Sequence, residues 1–116
     1  MKPETEDAVF AALAHRGRRQ MLDILLASPG CSVNQVAAHF DVSRIAVLKH
    51  LRVLAEAGLV LSEKRGRVRQ LFFNSVPIQL IHERWTDHYG AVFAGRLAAL
   101  KTRVESRSHR KATHRA

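Results

Sequence analysis

The chain has 116 residues, the length of one compact domain, and 47% hydrophobic residues, the composition of an ordinary globular protein. Lysine and arginine total 19 against 10 acidic residues, a formal net charge of +9, and the chain stays basic even without Arg107, Arg110, Lys111 and Arg115 at its end. No apolar run is long enough to span a bilayer, the polar start Met1 to Asp7 is not a secretory leader, and a lone cysteine, Cys31, has no internal partner for a disulfide. These features exclude a membrane protein and predict a cytoplasmic chain whose basicity favours nucleic acid as partner.

Ala8 to Ala14 reads as an apolar helical segment broken by His15-Arg16-Gly17. A second helix is expected from Arg18 to about Ala27, with Met21, Leu22, Leu25 and Leu26 at helical spacing. Ser28-Pro29-Gly30 stops it. Ser32-Val33-Asn34-Gln35 is a capping box that starts a short helix, Val33 to Phe40. Asp41-Val42 makes a tight connection to Ser43, the N-cap of a longer helix reaching Ala57 and ended by Gly58. Two helices joined so closely form a helix–turn–helix.

The period then changes. Leu59 to Lys64 and Val68 to Phe73 bracket Arg65-Gly66 and predict a β-hairpin with a basic tip. A final long helix, capped by Ser75, carries the apolar stripe Ile78, Ile81, Trp85, Tyr89, Val92, Phe93, Leu97, Leu100 and Val104. From Phe93 the spacing takes the heptad rhythm of a helix that pairs with a partner. The organisation expected is a winged helix–turn–helix domain over residues 1–105, mainly α with one hairpin and dimerising through its last and first helices. Residues 106–116 read as a basic, disordered tail.

Several stretches resemble the ArsR-type repressor family: Val9-Phe10-Ala11-Ala12-Leu13-Ala14, Arg18-Arg19-Gln20-Met21-Leu22, Ser43-Arg44-Ile45-Ala46-Val47-Leu48-Lys49-His50-Leu51, Leu54-Ala55-Glu56-Ala57-Gly58-Leu59-Val60 and Gly66-Arg67. Their order and spacing carry the likeness over roughly Val9 to Leu100, and Trp85 resembles the subgroup without a recognised metal site. The resemblance implies a homodimer that binds double-stranded DNA and blocks transcription from an operator. It also implies departures from the family. A serine usually stands where this chain has Leu48, and Asp-Pro-Thr usually stands where it has His15-Arg16-Gly17.

At 100° per residue, Val47, Leu51, Leu54 and Gly58 share the inward face of the recognition helix, while Ile45, Leu48, Lys49, Arg52 and Glu56 lie opposite, with Arg44 near the N-terminus. An arginine there can reach guanine acceptors in a major groove, and the apolar groups can meet thymine methyls. His50 either donates to a phosphate or packs under the turn. Lys64, Arg65, Arg67 and Arg69 cluster on the hairpin, where they suit phosphates or the minor groove. The DNA-binding set is therefore Ser43, Arg44, Ile45, Leu48, Lys49, His50, Arg52, Arg65, Arg67 and Arg69. Arg16, Arg18 and Arg19 form an extra basic cluster for DNA or for solvent.

The dimer interface expected is Ile81, Trp85, His88, Tyr89, Val92, Phe93, Leu97 and Leu100. Metal-sensing relatives carry a Cys-x-Cys pair that falls here on Ser32 and Asn34, and the spacing of His82, Glu83, Asp87 and His88 fits no last-helix site, so no metal is expected. His109 and His114 lie in the tail and read as solvated. Cys31 precedes a helix N-terminus, which favours a thiolate, or is a plain turn residue. No cofactor motif and no nucleophile–base arrangement appears, so an enzyme is not expected. The rival functions are a winged-helix protein–protein module and an RNA-binding basic protein. An unidentified small-molecule or protein effector remains open.

Overall fold

The computed structural model describes residues 1–86 and 90–115, with side chains described for residues 1–86 and 94–107. The elements run α1 (Pro3–Leu13), α2 (Arg16–Ala27), α3 (Val33–Ala37), α4 (Arg44–Glu56), β1 (Val60–Arg65), β2 (Val68–Phe73), α5 (Val76–Thr86) and α6 (Gly90–Arg115). The chain divides into two compact units, Met1–Ile81 and His82–Ala116.

The first unit is a winged helix–turn–helix built on one apolar core. Helix α1 starts earlier than its apolar pattern predicts, because Pro3 suits the first helical turn and Glu4 and Glu6 complement the positive helix end. It buries Val9 and Ala12. Helix α2 contributes Met21, Leu22 and Leu25, and α4 contributes Val47, Leu51 and Leu54, the inward face that helical periodicity predicts. Val36 of α3 joins them, and Ala57, Leu59, Val60, Leu71 and Ile81 complete the core. Ile81 therefore packs within the protomer rather than on the expected interface seam: its place in the first turns of α5 aims it at the core.

The capping box that opens α3 forms as the sequence predicts, with Gln35 N donating to Ser32 Oγ at 3.2 Å and Ser32 N donating to Gln35 Oε1 at 2.8 Å. Ser43 caps α4 by accepting from Ala46 N at 3.1 Å. The short helix ends at Ala37 rather than Phe40, where the chain turns into the connection to α4.

Strands β1 and β2 pair antiparallel from Val60↔Phe73 to Arg65↔Val68, leaving a tight turn at Gly66-Arg67. Gly66 has φ 63 while, among the described residues, no non-glycine residue has positive φ, the pattern of a turn with glycine at its first central position. Two backbone bonds fasten this wing to the segment before α3: Gly30 N donates to Leu71 O and Leu71 N donates to Cys31 O, both at 2.9 Å. The base of the hairpin is fixed by Asn74, whose Nδ2 donates to Gly58 O at 2.9 Å. Asn74 Oδ1 also accepts from Val76 N at 3.2 Å, so the side-chain bond to the first amide of α5 comes from Asn74 rather than from Ser75.

The second unit holds the end of α5 and helix α6. Its backbone is helical to Arg115, past Ser106 where the sequence leads us to expect the tail to begin. No proline or glycine follows Gly95, and arginine, lysine and alanine all sustain a helix. Trp85, Leu97, Leu100 and Val104 are exposed in the protomer, at 65%, 61%, 54% and 54%. His88 and Tyr89 lie outside the described residues, as do the side chains of Val92 and Phe93. The described residues contain no helix long and apolar enough to cross a membrane and no group of three metal-ligating side chains.

Candidate nucleic-acid interface

Helix α4 presents two adjacent rows to solvent. Arg44 and Leu48 form one, and Ile45, Lys49 and Arg52 form the other, each at the spacing that aligns side chains along a helix face. Ile45 is 67% exposed among cations, apolar surface that contact with an apolar group would bury. Leu48 is half-buried.

The row headed by Arg44 faces the wing. Arg44 and Leu48 line a cleft of about 430 Å³ with Ser32, Val33 and Asn34 on one side and Lys64, Arg67, Val68 and Arg69 on the other. The fold thus brings Arg44 of the recognition helix into one concavity with three cations of the wing, Lys64, Arg67 and Arg69, with a leucine among them. A shallower, apolar depression of about 230 Å³ beside it takes in Leu48, Arg52 and Arg69. Arg69 Nη1 donates to Ser62 Oγ at 3.2 Å, which steadies its stem against the facing strand. Arg65, at the end of β1, lies 3.6 Å from Glu63 in a solvent-exposed pair, an interaction worth about 0–1 kcal/mol.

Three residues of the expected set have other engagements. The Ser43 oxygen is occupied by the helix cap. His50 sits in the junction of α1, α2 and α4: its Nδ1 accepts from Arg18 Nη1 at 3.2 Å, and its ring lies 4.4 Å from that of His15. Burial, and next the charges of His15 and Arg18, hold its pKa below the ordinary 6.5. Of the two roles open to His50, packing beneath the helix is the one that these contacts describe. Arg44, third, is tied to Asn34, its Nε donating to Asn34 Oδ1 at 2.7 Å.

The basic cluster at the start of α2 also has structural work. Arg18 Nε donates to Ala12 O at 2.8 Å and its Nη2 to Ala11 O at 3.1 Å, while Arg19 Nη1 donates to Leu13 O at 2.6 Å. Two arginines thereby satisfy the last carbonyls of α1 and sit at its negative end. Helix α2 is capped by His15, whose Nδ1 accepts from Arg18 N at 3.3 Å. A Cβ at residue 17 would come within 3.0 Å of the His15 ring, so glycine there leaves room for the ring to fold back. His15-Arg16-Gly17-Arg18 is a working cap of unusual composition, and only the glycine two residues after the histidine hints at it in the sequence.

Sequence reasoning also missed Asn34 and Val68 as cleft residues, and left Lys64 out of the binding set. Asn34 carries no signal by itself, since its meaning comes from the fold bringing α3 beside the start of α4.

Comparison with known proteins agrees with this architecture. The helix-turn-helix domain family matches residues 13–63. The chain is similar to YuzN of Bacillus subtilis (strain 168), an uncharacterized HTH-type transcriptional regulator, with 33% identity over 88 residues that cover 71% of this chain and 96% of YuzN. SdpR of the same organism, a transcriptional repressor, is 28% identical over 61% of this chain and 78% of its own length. Among solved structures, an ArsR-like transcriptional regulator from Rhodococcus sp. RHA1 superposes with a TM-score of 0.66 at 34% identity, covering 89% of this chain and 93% of that one.

Proposed function

The chain belongs to the ArsR-type family of winged helix–turn–helix transcriptional regulators, which bind DNA, and we propose that it acts as a cytoplasmic homodimeric repressor reading a palindromic operator. The observation that carries this reading is the cleft between α4 and the wing. Arg44, Lys64, Arg67 and Arg69 stand around it with Leu48, beside the exposed row of Ile45, Lys49 and Arg52. Phosphate contacts from the wing would set register and supply most of the salt-dependent affinity, while α4 in the major groove would read base edges. Arg44 suits the paired acceptors of guanine, and Ile45 and Leu48 suit thymine methyls.

Dimerisation is supported by the exposed Trp85 of α5 and by Leu97, Leu100 and Val104 of α6, apolar surface that would cost solubility in a lone protomer and that along α6 has the spacing of a helix-pairing seam. The repressor reading has support in the name of SdpR. No enzymatic role is assigned, and any response to an effector would pass through a small molecule or protein rather than through a metal.

Mobility-shift titration with the native upstream duplex, random duplex and single-stranded RNA tests the proposal. Tightest binding to the upstream duplex is expected. Equal or tighter binding to RNA, or no binding to any nucleic acid, would overturn it in favour of an RNA-binding or protein-docking role.

A further inference from the structure

We propose that Asn34, on the first helix of the helix–turn–helix, is a specificity-determining positioning residue that aims the Arg44 guanidinium at a base pair. The inference rests on the reading of Arg44 as a guanine-contacting residue and goes one layer behind it.

The geometry begins with the 2.7 Å bond from Arg44 Nε to Asn34 Oδ1. A guanidinium only donates, so the amide atom facing it is the oxygen. A guanidinium also offers two edges to a bidentate acceptor, one formed by Nε with a terminal nitrogen and one formed by the two terminal nitrogens. Engaging Nε on Asn34 removes the first edge from competition and leaves the terminal pair, the edge that matches guanine O6 and N7.

The anchor is itself held in place. Asn34 lies in the first turn of α3, inside the reciprocal Ser32–Gln35 capping bonds, and its carbonyl accepts from Ala38 N at 3.1 Å. Arg44 is the first residue of α4, immediately after the Ser43 cap. Two capped helix starts therefore face each other, and the amide–guanidinium bond bridges them on the wall of the cleft that holds Leu48 and the wing cations. An exposed arginine without such an anchor samples many rotamers and gives up that freedom on binding. One already fixed does not. Because the bond orders only the base-reading group, its loss should fall on discrimination rather than on phosphate-driven affinity.

The test measures affinities of the full chain for an operator recovered by selection from a random duplex pool and for random duplex. Asn34→Ala is expected to weaken operator binding about fivefold to tenfold while changing random-duplex binding less than twofold. Asn34→Asp keeps the acceptor oxygen and is expected to preserve the operator-to-random ratio while its charge weakens both. In an Arg44→Ala background, Asn34→Ala should cost nothing further, because the two residues act as one unit. An equal loss on operator and random duplex, or an undiminished loss in the Arg44→Ala background, would overturn the role of Asn34. A separate failure is distinguishable: if Arg44→Ala alone leaves the operator-to-random ratio unchanged, Arg44 does not read a base. A thermal melt of Asn34→Ala within about 2 °C of wild type excludes unfolding as the cause.

Discussion

Replacing Arg18 with alanine should destabilise the fold without weakening DNA contact. Its guanidinium makes two part-buried bonds, to Ala12 O at 2.8 Å and to His50 Nδ1 at 3.2 Å, and one exposed bond to Ala11 O at 3.1 Å. Counting about 1 kcal/mol for each part-buried bond and nothing for the exposed one gives a loss of about 2 kcal/mol. For a chain of this length that corresponds to roughly 4 °C per kcal/mol, so Tm should fall by about 8 °C. Arg19→Ala, which removes only the exposed bond to Leu13 O, is the control and should shift Tm by less than about 2 °C. Thermal unfolding followed by circular dichroism, at one fixed protomer concentration because self-association would raise Tm, gives both values. If Arg18→Ala melts with wild type, or Arg19→Ala falls as far, the stapling role of Arg18 is wrong. If instead Arg18→Ala lowers the salt dependence of DNA binding by about one phosphate contact, the residue touches DNA.

Three other outcomes are expected. His50 is held neutral in the fold by burial and by the charges of His15 and Arg18, so below its ordinary pKa of 6.5 the unfolded chain binds the extra proton. Its contribution is therefore complete above about pH 6.5 and is lost as pH falls, and Tm should drop between pH 7 and 5.5 more steeply in wild type than in His50→Gln. If the protein is the proposed dimer, Trp85→Asp or Leu97→Asp should yield monomer or aggregate in sedimentation, whereas a wild-type monomer at micromolar concentration would refute dimerisation. Arg67→Ala should weaken binding to every duplex alike and reduce the salt slope by about one, with the operator-to-random ratio kept.

Much of this architecture is legible in the sequence because its signals are local. The Ser32–Gln35 capping box, the Ser43 cap, the inward row Val47, Leu51 and Leu54, and β2 at Val68–Phe73 follow from spacing and turn chemistry alone. The misreadings occur where tertiary placement decides. Arg18 and Arg19 read as a basic cluster for DNA or for solvent until α1 ends beside them and offers bare carbonyls. Ile81 fits a helix stripe equally well as interface or core, and only the packing of the first unit assigns it to the core. His50 had two roles open, and His15 decides between them only once the α1–α2 corner meets α4. Asn34 is the clearest case, ten residues from Arg44 in the chain and in direct contact with it in the fold.

The footprint of the protein on its own upstream DNA tests the palindromic-operator reading most directly. Two recognition helices related by a two-fold axis must enter successive major grooves on one side of the duplex. Hydroxyl-radical footprinting should therefore show two protected half-sites about 10–11 base pairs apart, centre to centre, on one face of an imperfect palindrome. A single asymmetric protected segment, or uniform protection without half-sites, would contradict a dimer reading a palindromic operator.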